Sequence, residues 1–120
     1  ITRLRIANDR PILVETAYIP FRFCRDLTED KLNDSLYTLI SQYTNAQPKE
    51  ATEVYEAVSL KEREAELFGC RAGTPAFKIM RTSTNTNGDI FEYSEIIAPG
   101  DRNQYEITLH RDDVQYKKIM

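Results

Sequence analysis

The chain has 120 residues, and its 16 basic and 19 acidic side chains leave a net charge of −3. This length suits one domain with one buried core, and the balanced charge argues against a chain that grips nucleic acid by itself. No apolar run approaches the roughly 18 residues of a membrane span, and no signal-peptide pattern opens the chain. Two cysteines and one histidine are too few for a metal site, so we expect no metal, no cofactor and a cytoplasmic location.

The first predicted element is a hairpin over residues 2–19, with Arg3 and Arg5 two positions apart on its first strand. Residues at this spacing lie on the same face of a strand. If the loop comprises residues 9–11, Arg5 lies opposite Glu15, and two guanidinium groups and a carboxylate converge. Guanidinium groups suit phosphate or carboxylate, so the pattern predicts an anion receptor. The alternative is an exposed hairpin whose charges keep a sheet edge soluble.

The next predicted element is a helix with one buried face. Its apolar residues have the i, i+3, i+4, i+7 spacing of such a helix: Leu36, Leu39, Ile40 and Tyr43. Asp34 or Ser35 is its natural N-cap. The free amide groups at the helix start, with the hydroxyl groups of Ser35 and Tyr37, form a second candidate anion site. The alternative is that Ser35 only caps the helix and Tyr37 is a half-buried aromatic residue.

A strand and a short helix follow. Residues 50–59 alternate as a strand does, and residues 59–62 read Ser-Leu-Lys-Glu, the pattern of a capping box. We therefore expect a helix that starts beside Ser59, buries Ala65 and Phe68, and ends at Gly69.

A second hairpin is predicted from Pro75 onward, because Asn87-Gly88 favours a two-residue type I′ turn. The pairs that follow from this turn are Thr86 with Asp89, Ser83 with Glu92, Arg81 with Ser94, and Ile79 with Ile96. One face of this hairpin then runs from polar to apolar, as a small-molecule pocket requires. The alternative is a strand end that is simply wet near its turn. Glu15 and Glu92 suit hydroxyl or ammonium ligands better than they suit paired catalysis.

The last predicted element is a strand in which Tyr105, Ile107 and Leu109 alternate with polar residues. An apolar strand at a sheet edge invites pairing, which predicts a homodimer. The order of two strands, helix, strand, short helix and three strands indicates an α+β fold, with an antiparallel sheet covered by helices. We expect residues 1–120 to form one domain.

These motifs together resemble the UTRA domain, the effector-binding half of GntR-type transcription regulators of the HutC branch. The matching segments are Arg3-Leu4-Arg5-Ile6-Ala7-Asn8, Pro11, Glu15-Thr16-Ala17-Tyr18-Ile19-Pro20, Ser35-Leu36-Tyr37, Gly73-Thr74-Pro75, Arg81, Asn87-Gly88, Phe91-Glu92-Tyr93-Ser94 and Gly100-Asp101-Arg102. The resemblance implies a chorismate-lyase-like fold, a homodimer, and an N-terminal winged helix-turn-helix that binds operator DNA. The chain begins at Ile1, within a predicted strand and without an initiator Met, so we expect a fragment that lacks that domain.

The resemblance also implies a site for a small anionic effector, here a phosphorylated sugar, that allosterically controls DNA binding. The residues implied to hold the phosphate are Arg3, Arg5, Ser35 and Tyr37, while Glu15 and Glu92 contact the sugar or its amine. Arg81 joins this site from the polar face of the second hairpin. Ala98-Pro99 stands where relatives often carry an aromatic and a basic residue, so we expect a less selective sugar half. The alternative function is a chorismate-lyase-like enzyme, although no catalytic residue is assigned.

Overall fold

A computed structural model of the chain describes residues 1–33, 36–43 and 47–111. The strands are β1 (Thr2–Ala7), β2 (Arg10–Tyr18), β3 (Pro48–Ser59), β4 (Pro75–Asn85) and β5 (Ile90–Pro99). The helices are α1 (Leu36–Ser41) and α2 (Glu62–Phe68), with short 3-10 turns at Phe21–Phe23 and Glu29–Asn33. All strand pairs are antiparallel in the order β1-β2-β5-β4-β3, which confirms the predicted α+β class. Within these described ranges, no helix is long and apolar enough to cross a membrane.

The first hairpin turns over two residues, Asn8 and Asp9, whose φ angles are 52° and 61°. The predicted three-residue loop is therefore wrong, and Arg3 rather than Arg5 pairs with Glu15. The register shifts between Arg5 and the next residue, so that Ile12 is an extra residue on β2. Because of this bulge, Glu15 lies on the same face of the sheet as Arg3 and Arg5. An unbroken two-residue hairpin would place Glu15 on the opposite face.

The second hairpin has three of the four predicted pairs but a different turn, and the predicted pair of Thr86 with Asp89 is wrong, because Asp89 accepts from Asn85 instead. The confirmed pairs are Ser83 with Glu92, Arg81 with Ser94, and Ile79 with Ile96. The turn is wider than two residues: the Asn85 N–H donates to the carbonyl of Asp89, and only Gly88 has a positive φ, of 81°. The Asn85 side-chain oxygen accepts from the N–H groups of Asn87 and Asp89, which stabilises this wider turn. The type I′ prediction is wrong, and a register shift just beyond Ser83 restores the predicted pairs.

Helix α2 packs on part of one face of the sheet. The predicted cap at Ser59 is wrong because Ser59 still belongs to β3, and the Lys61 N–H instead donates to the Glu64 carboxylate at 2.8 Å. The predicted end at Gly69 is confirmed, with a left-handed φ of 66°. The buried residues of this layer are Leu60, Ala65, Phe68 and Ala76, with Val14, Val58, Cys70 and Ile97 packed against them.

On the opposite face of the sheet, α1 and the first 3-10 turn cover one end. The buried residues here are Ala17, Phe23, Leu36, Ile40 and Phe91. The predicted buried face of α1 is confirmed for Leu36, Leu39 and Ile40, and the helix ends at Ser41, before Tyr43. Both proposed cap residues, Asp34 and Ser35, lie outside the described residues.

The predicted last strand is wrong, because residues 103–110 pair with no strand of the described chain. Arg102 and Asn103 donate to backbone carbonyls of β2, and Tyr105 then meets the rings of Tyr55 and Phe77 edge-on. The segment therefore crosses above the sheet instead of running along an edge. Its remaining apolar side chains stay uncovered, with Ile107 69% and Leu109 66% exposed.

We predict that Phe68→Ala lowers the free energy of unfolding by about 3–5 kcal/mol, because it empties the centre of the layer between α2 and the sheet. The control is the adjacent Leu67→Ala, since the Leu67 side chain is 45% exposed and leaves no cavity. Urea unfolding monitored by circular dichroism measures both values. Equal losses for the two variants would contradict this account of the core.

Candidate functional site

The sheet face opposite α2 contains a buried carboxylate, Glu92, of which only 1% is exposed. Oε1 accepts hydrogen bonds from Ser83 Oγ at 2.8 Å and from Tyr37 OH at 2.9 Å. Oε2 accepts one from Ser94 Oγ at 2.7 Å. A carboxylate has about four acceptor positions, so one position remains for a further donor. All three donors are uncharged hydroxyl groups.

The strands and α1 each bring a hydroxyl group to Glu92 for a local reason. Ser83 is its direct cross-strand partner, and Ser94 lies two residues along β5 on the same face. Tyr37 lies in the first turn of α1, where its ring meets Phe91 at 5.8 Å between centroids. Burial, and then the hydrogen bond and charge of Glu92, raise the pKa of Tyr37, so its phenol is a donor at neutral pH.

The predicted meeting of a guanidinium group and a carboxylate is confirmed, but the guanidinium belongs to Arg3. Arg3 Nη2 lies 3.2 Å from Glu15 Oε1, and the two side chains are only 12% and 11% exposed. Arg3 Nε and Nη1 are buried and have no hydrogen-bond partner within the described part of the chain. A buried donor without an acceptor costs about 1–3 kcal/mol, so these two atoms suit an incoming anion. Arg5 is exposed on the same face and forms no ion pair among the described residues.

Arg81 lies on this face but is already paired. Its Nε and Nη2 both donate to Glu53 Oε2, at 3.1 and 2.9 Å, and Glu53 is its direct partner on β3. Burial by itself lowers the pKa of Arg81, but the hydrogen bond and charge of Glu53 outweigh it and raise the pKa. Sequence reasoning missed Glu53, because only the pairing of β3 with β4, across α2, brings the two residues together.

Most of the predicted site residues lie on or against one face of the sheet, where Arg3 contacts Glu15 and Tyr37 contacts Glu92. Those on the described part of this face are Arg3, Arg5, Glu15, Tyr37, Arg81 and Glu92. Ser35 lies outside the described residues, so its part in the site stays a prediction. Ala98 is fully buried against Ile79 and Ile96, so it belongs to the core instead of lining an open pocket wall. Within the described ranges, no group of three or more His, Cys, Asp or Glu residues could hold a metal ion.

A small cleft of about 190 Å³ lies beside the Glu92 cluster, lined by Tyr37, Ser83, Phe91 and the start of β3 at residues 48–51. This volume is below the roughly 300 Å³ of a small ligand pocket. The cleft nevertheless leaves room next to two of the three hydroxyl groups that bind Glu92.

Comparison with known proteins identifies relatives of this chain. The model of the UTRA domain matches residues 1–104. The chain is 34% identical over 102 residues to the HTH-type transcriptional repressor NagR of Bacillus subtilis (strain 168), covering 85% of this chain and 42% of that protein. It therefore spans less than half the length of this relative.

Two solved structures have the same fold. The GntR-family transcriptional regulator from Enterococcus faecalis V583 aligns with a TM-score of 0.83 at 24% identity, over 90% of this chain and 78% of that one. The possible transcriptional regulator YydK from Bacillus subtilis subsp. subtilis str. 168 also aligns with a TM-score of 0.83 at 24% identity, over 91% and 48% of the two chains. At this level of identity the likeness shows the fold alone.

We predict that Ser94→Ala lowers the free energy of unfolding by about 1–3 kcal/mol, because it leaves Oε2 of the buried Glu92 without its donor. The matched control is Ser59→Ala, which removes an exposed hydroxyl from a strand and should change stability by less than about 0.5 kcal/mol. Urea unfolding of both variants tests this. A Ser94 variant as stable as the Ser59 variant would show that the hydroxyl is dispensable to the cluster.

Proposed function

Because this chain belongs to the UTRA domain family, we propose that it is the effector-binding domain of a GntR-family transcription regulator of the HutC branch and that it senses a phosphorylated sugar. One observation carries the proposal. Among the described residues, Arg3 has two buried nitrogen atoms without a partner, and it lies on the same sheet face as Glu92, a buried carboxylate bound only by hydroxyl groups.

The phosphate end of the proposed site is the Arg3 and Arg5 strand. The two unpartnered Arg3 nitrogen atoms offer charge-assisted hydrogen bonds, and Arg5 adds a second guanidinium group from the same face. Ser35 and Tyr37 complete this end in the proposal, and the Tyr37 hydroxyl also donates to Glu92. Glu15 competes with the phosphate for Arg3, because it already holds Nη2.

The sugar end of the proposed site is Glu92. Its remaining acceptor position accepts a hydrogen bond from a sugar hydroxyl or from an ammonium group. A ligand that fits both ends therefore carries an anion at one end and donors at the other, as a phosphorylated sugar or amino sugar does. No cofactor or metal is required for such binding.

The regulatory part of the proposal concerns the whole protein. We infer that it is not an enzyme, that it acts in the cytoplasm as a homodimer, and that a separate N-terminal winged helix-turn-helix binds operator DNA. The ligand controls DNA binding only if it favours one arrangement of the dimer over the other. The names of the relatives, which are transcriptional regulators, support this part of the proposal. The role proposed for the present chain is effector binding.

We predict that Arg5→Ala weakens binding of glucose 6-phosphate at least tenfold, because a charge-assisted hydrogen bond contributes roughly 1.5–3 kcal/mol. Arg5 is exposed and unpaired among the described residues, so the free energy of unfolding should stay within about 0.5 kcal/mol. Isothermal titration calorimetry measures the affinity. Arg63→Ala is the control, since it removes an exposed arginine from α2 on the opposite side of the sheet.

Two results would contradict the proposed phosphate site. One is equal affinity in the Arg5 variant and its Arg63 control. The other is unphosphorylated glucose binding as tightly as its phosphate, since an arginine pair that selects an anion should reject the neutral sugar.

We also predict that the chain dimerises through the apolar row at Ile107 and Leu109. These side chains are exposed on a segment that has no strand partner among the described residues, so a second copy can cover them. Sedimentation velocity should show a dimer that Ile107→Glu with Leu109→Glu dissociates. Thr108→Glu is the control, because it adds a charge to the same segment without removing an apolar side chain. A monomeric wild type, or a dimer that is insensitive to the double change, would refute this surface.

A further inference from the structure

The three carboxylates on the site face are satisfied in two different ways. Glu15 is bound by Arg3, and Glu53 is bound by Arg81 through two hydrogen bonds to one oxygen. Glu92 has no arginine or lysine within ion-pair distance in the described chain and is held only by hydroxyl groups. Glu92 is also the most buried of the three, although burial normally demands an opposite charge.

Arg81 lies where it can reach Glu92. It pairs directly with Ser94, which lies two residues from Glu92, so Arg81 and Glu92 are diagonal neighbours on one face. Diagonal neighbours on adjacent strands are about 7–8 Å apart, within reach of a long side chain. Burial lowers the pKa of Arg81, whereas Glu53, then Tyr37 and finally the charge of Glu92 raise it. The charge of Glu92 therefore acts on Arg81 from this diagonal position. Arg81 nevertheless turns to the other side, toward β3.

We propose that Glu53 is a positioning residue that holds Arg81 away from Glu92 and so reserves Glu92 for the hydroxyl or ammonium groups of the ligand. The inference rests on the proposed function, but it concerns a residue that contacts Arg81 and not the ligand. Without the Glu53 charge, Glu92 is the carboxylate that stays diagonally next to Arg81 on this face.

The consequence for the ligand follows from the acceptor count. Three hydroxyl groups leave Glu92 one free acceptor position, and a guanidinium donor from Arg81 would occupy it. The same contact would neutralise the carboxylate and remove its attraction for an ammonium group. Glu53 therefore sets the selectivity of the sugar end, while the phosphate end at Arg3 lies on another strand.

The test compares Glu53→Gln with Glu56→Gln. Both changes remove one carboxylate from β3, but Glu56 lies on the opposite face, across from Lys78. We expect Glu53→Gln to weaken glucosamine 6-phosphate at least tenfold and inorganic phosphate less than twofold, because only the sugar end is blocked. The Glu56 variant should bind both as the wild type does. Equal weakening of both ligands, or none, would overturn the inference.

A second arm asks whether Arg81 causes the loss. In an Arg81→Met background, adding Glu53→Gln should leave the affinity for glucosamine 6-phosphate unchanged, since no guanidinium group remains to move. A persisting loss would assign Glu53 another role.

A third arm needs no ligand. A crystal structure of unliganded Glu53→Gln should show Arg81 within hydrogen-bond distance of Glu92, and Arg81 still bonded to position 53 or turned to solvent would refute the proposal. If wild type binds neither probe while Arg81 moves as expected, the proposed function fails and the positioning role of Glu53 stands.

Discussion

The strict alternation of side chains along a strand is the constraint on which this structure depends. A register change of one residue moves a whole row of side chains to the other face of the sheet. Each hairpin reaches its working register through a shift, at Ile12 in the first and just beyond Ser83 in the second. These two irregularities keep the side chains of Arg3, Glu92 and Arg81 on a common face of the sheet.

The two faces of the sheet have different tasks. Beneath α2, one sheet face has an apolar cluster around Phe68 that supplies burial for stability, whereas Glu56 and Lys78 lie elsewhere on that face. The other face is covered by α1 at one end and carries buried charges elsewhere, which cost free energy unless each has a partner. Stability from the first face offsets the polar burial of the second. A binding site can therefore occupy the sheet without unfolding it.

The charged groups on the polar face differ in their partners: some form ion pairs, and one is bound by hydroxyl groups. Arg3 and Arg81 each hold a carboxylate, whereas Glu92 keeps hydroxyl partners that a ligand can supplement. Such an arrangement favours a ligand with separated anionic and donor ends. In the positioning role proposed for Glu53, a residue without ligand contact influences which ligand is accepted.

Sequence reasoning was correct where the cause is local or periodic. Short-range rules explain four features: the shared face of Arg3 and Arg5, the buried face of α1, the end of α2 at Gly69, and the pairing of Ser83 with Glu92. The tertiary structure decided the partner of Glu15, the pairing of Arg81 with Glu53, and the path of the segment after Arg102. The bulges and the pairing of β3 with β4 depend on the packed sheet. The free energies that stabilise them come from contacts between residues distant in the chain. For that reason the candidate residues on this face could be proposed from the chain, whereas their charge pairing could not.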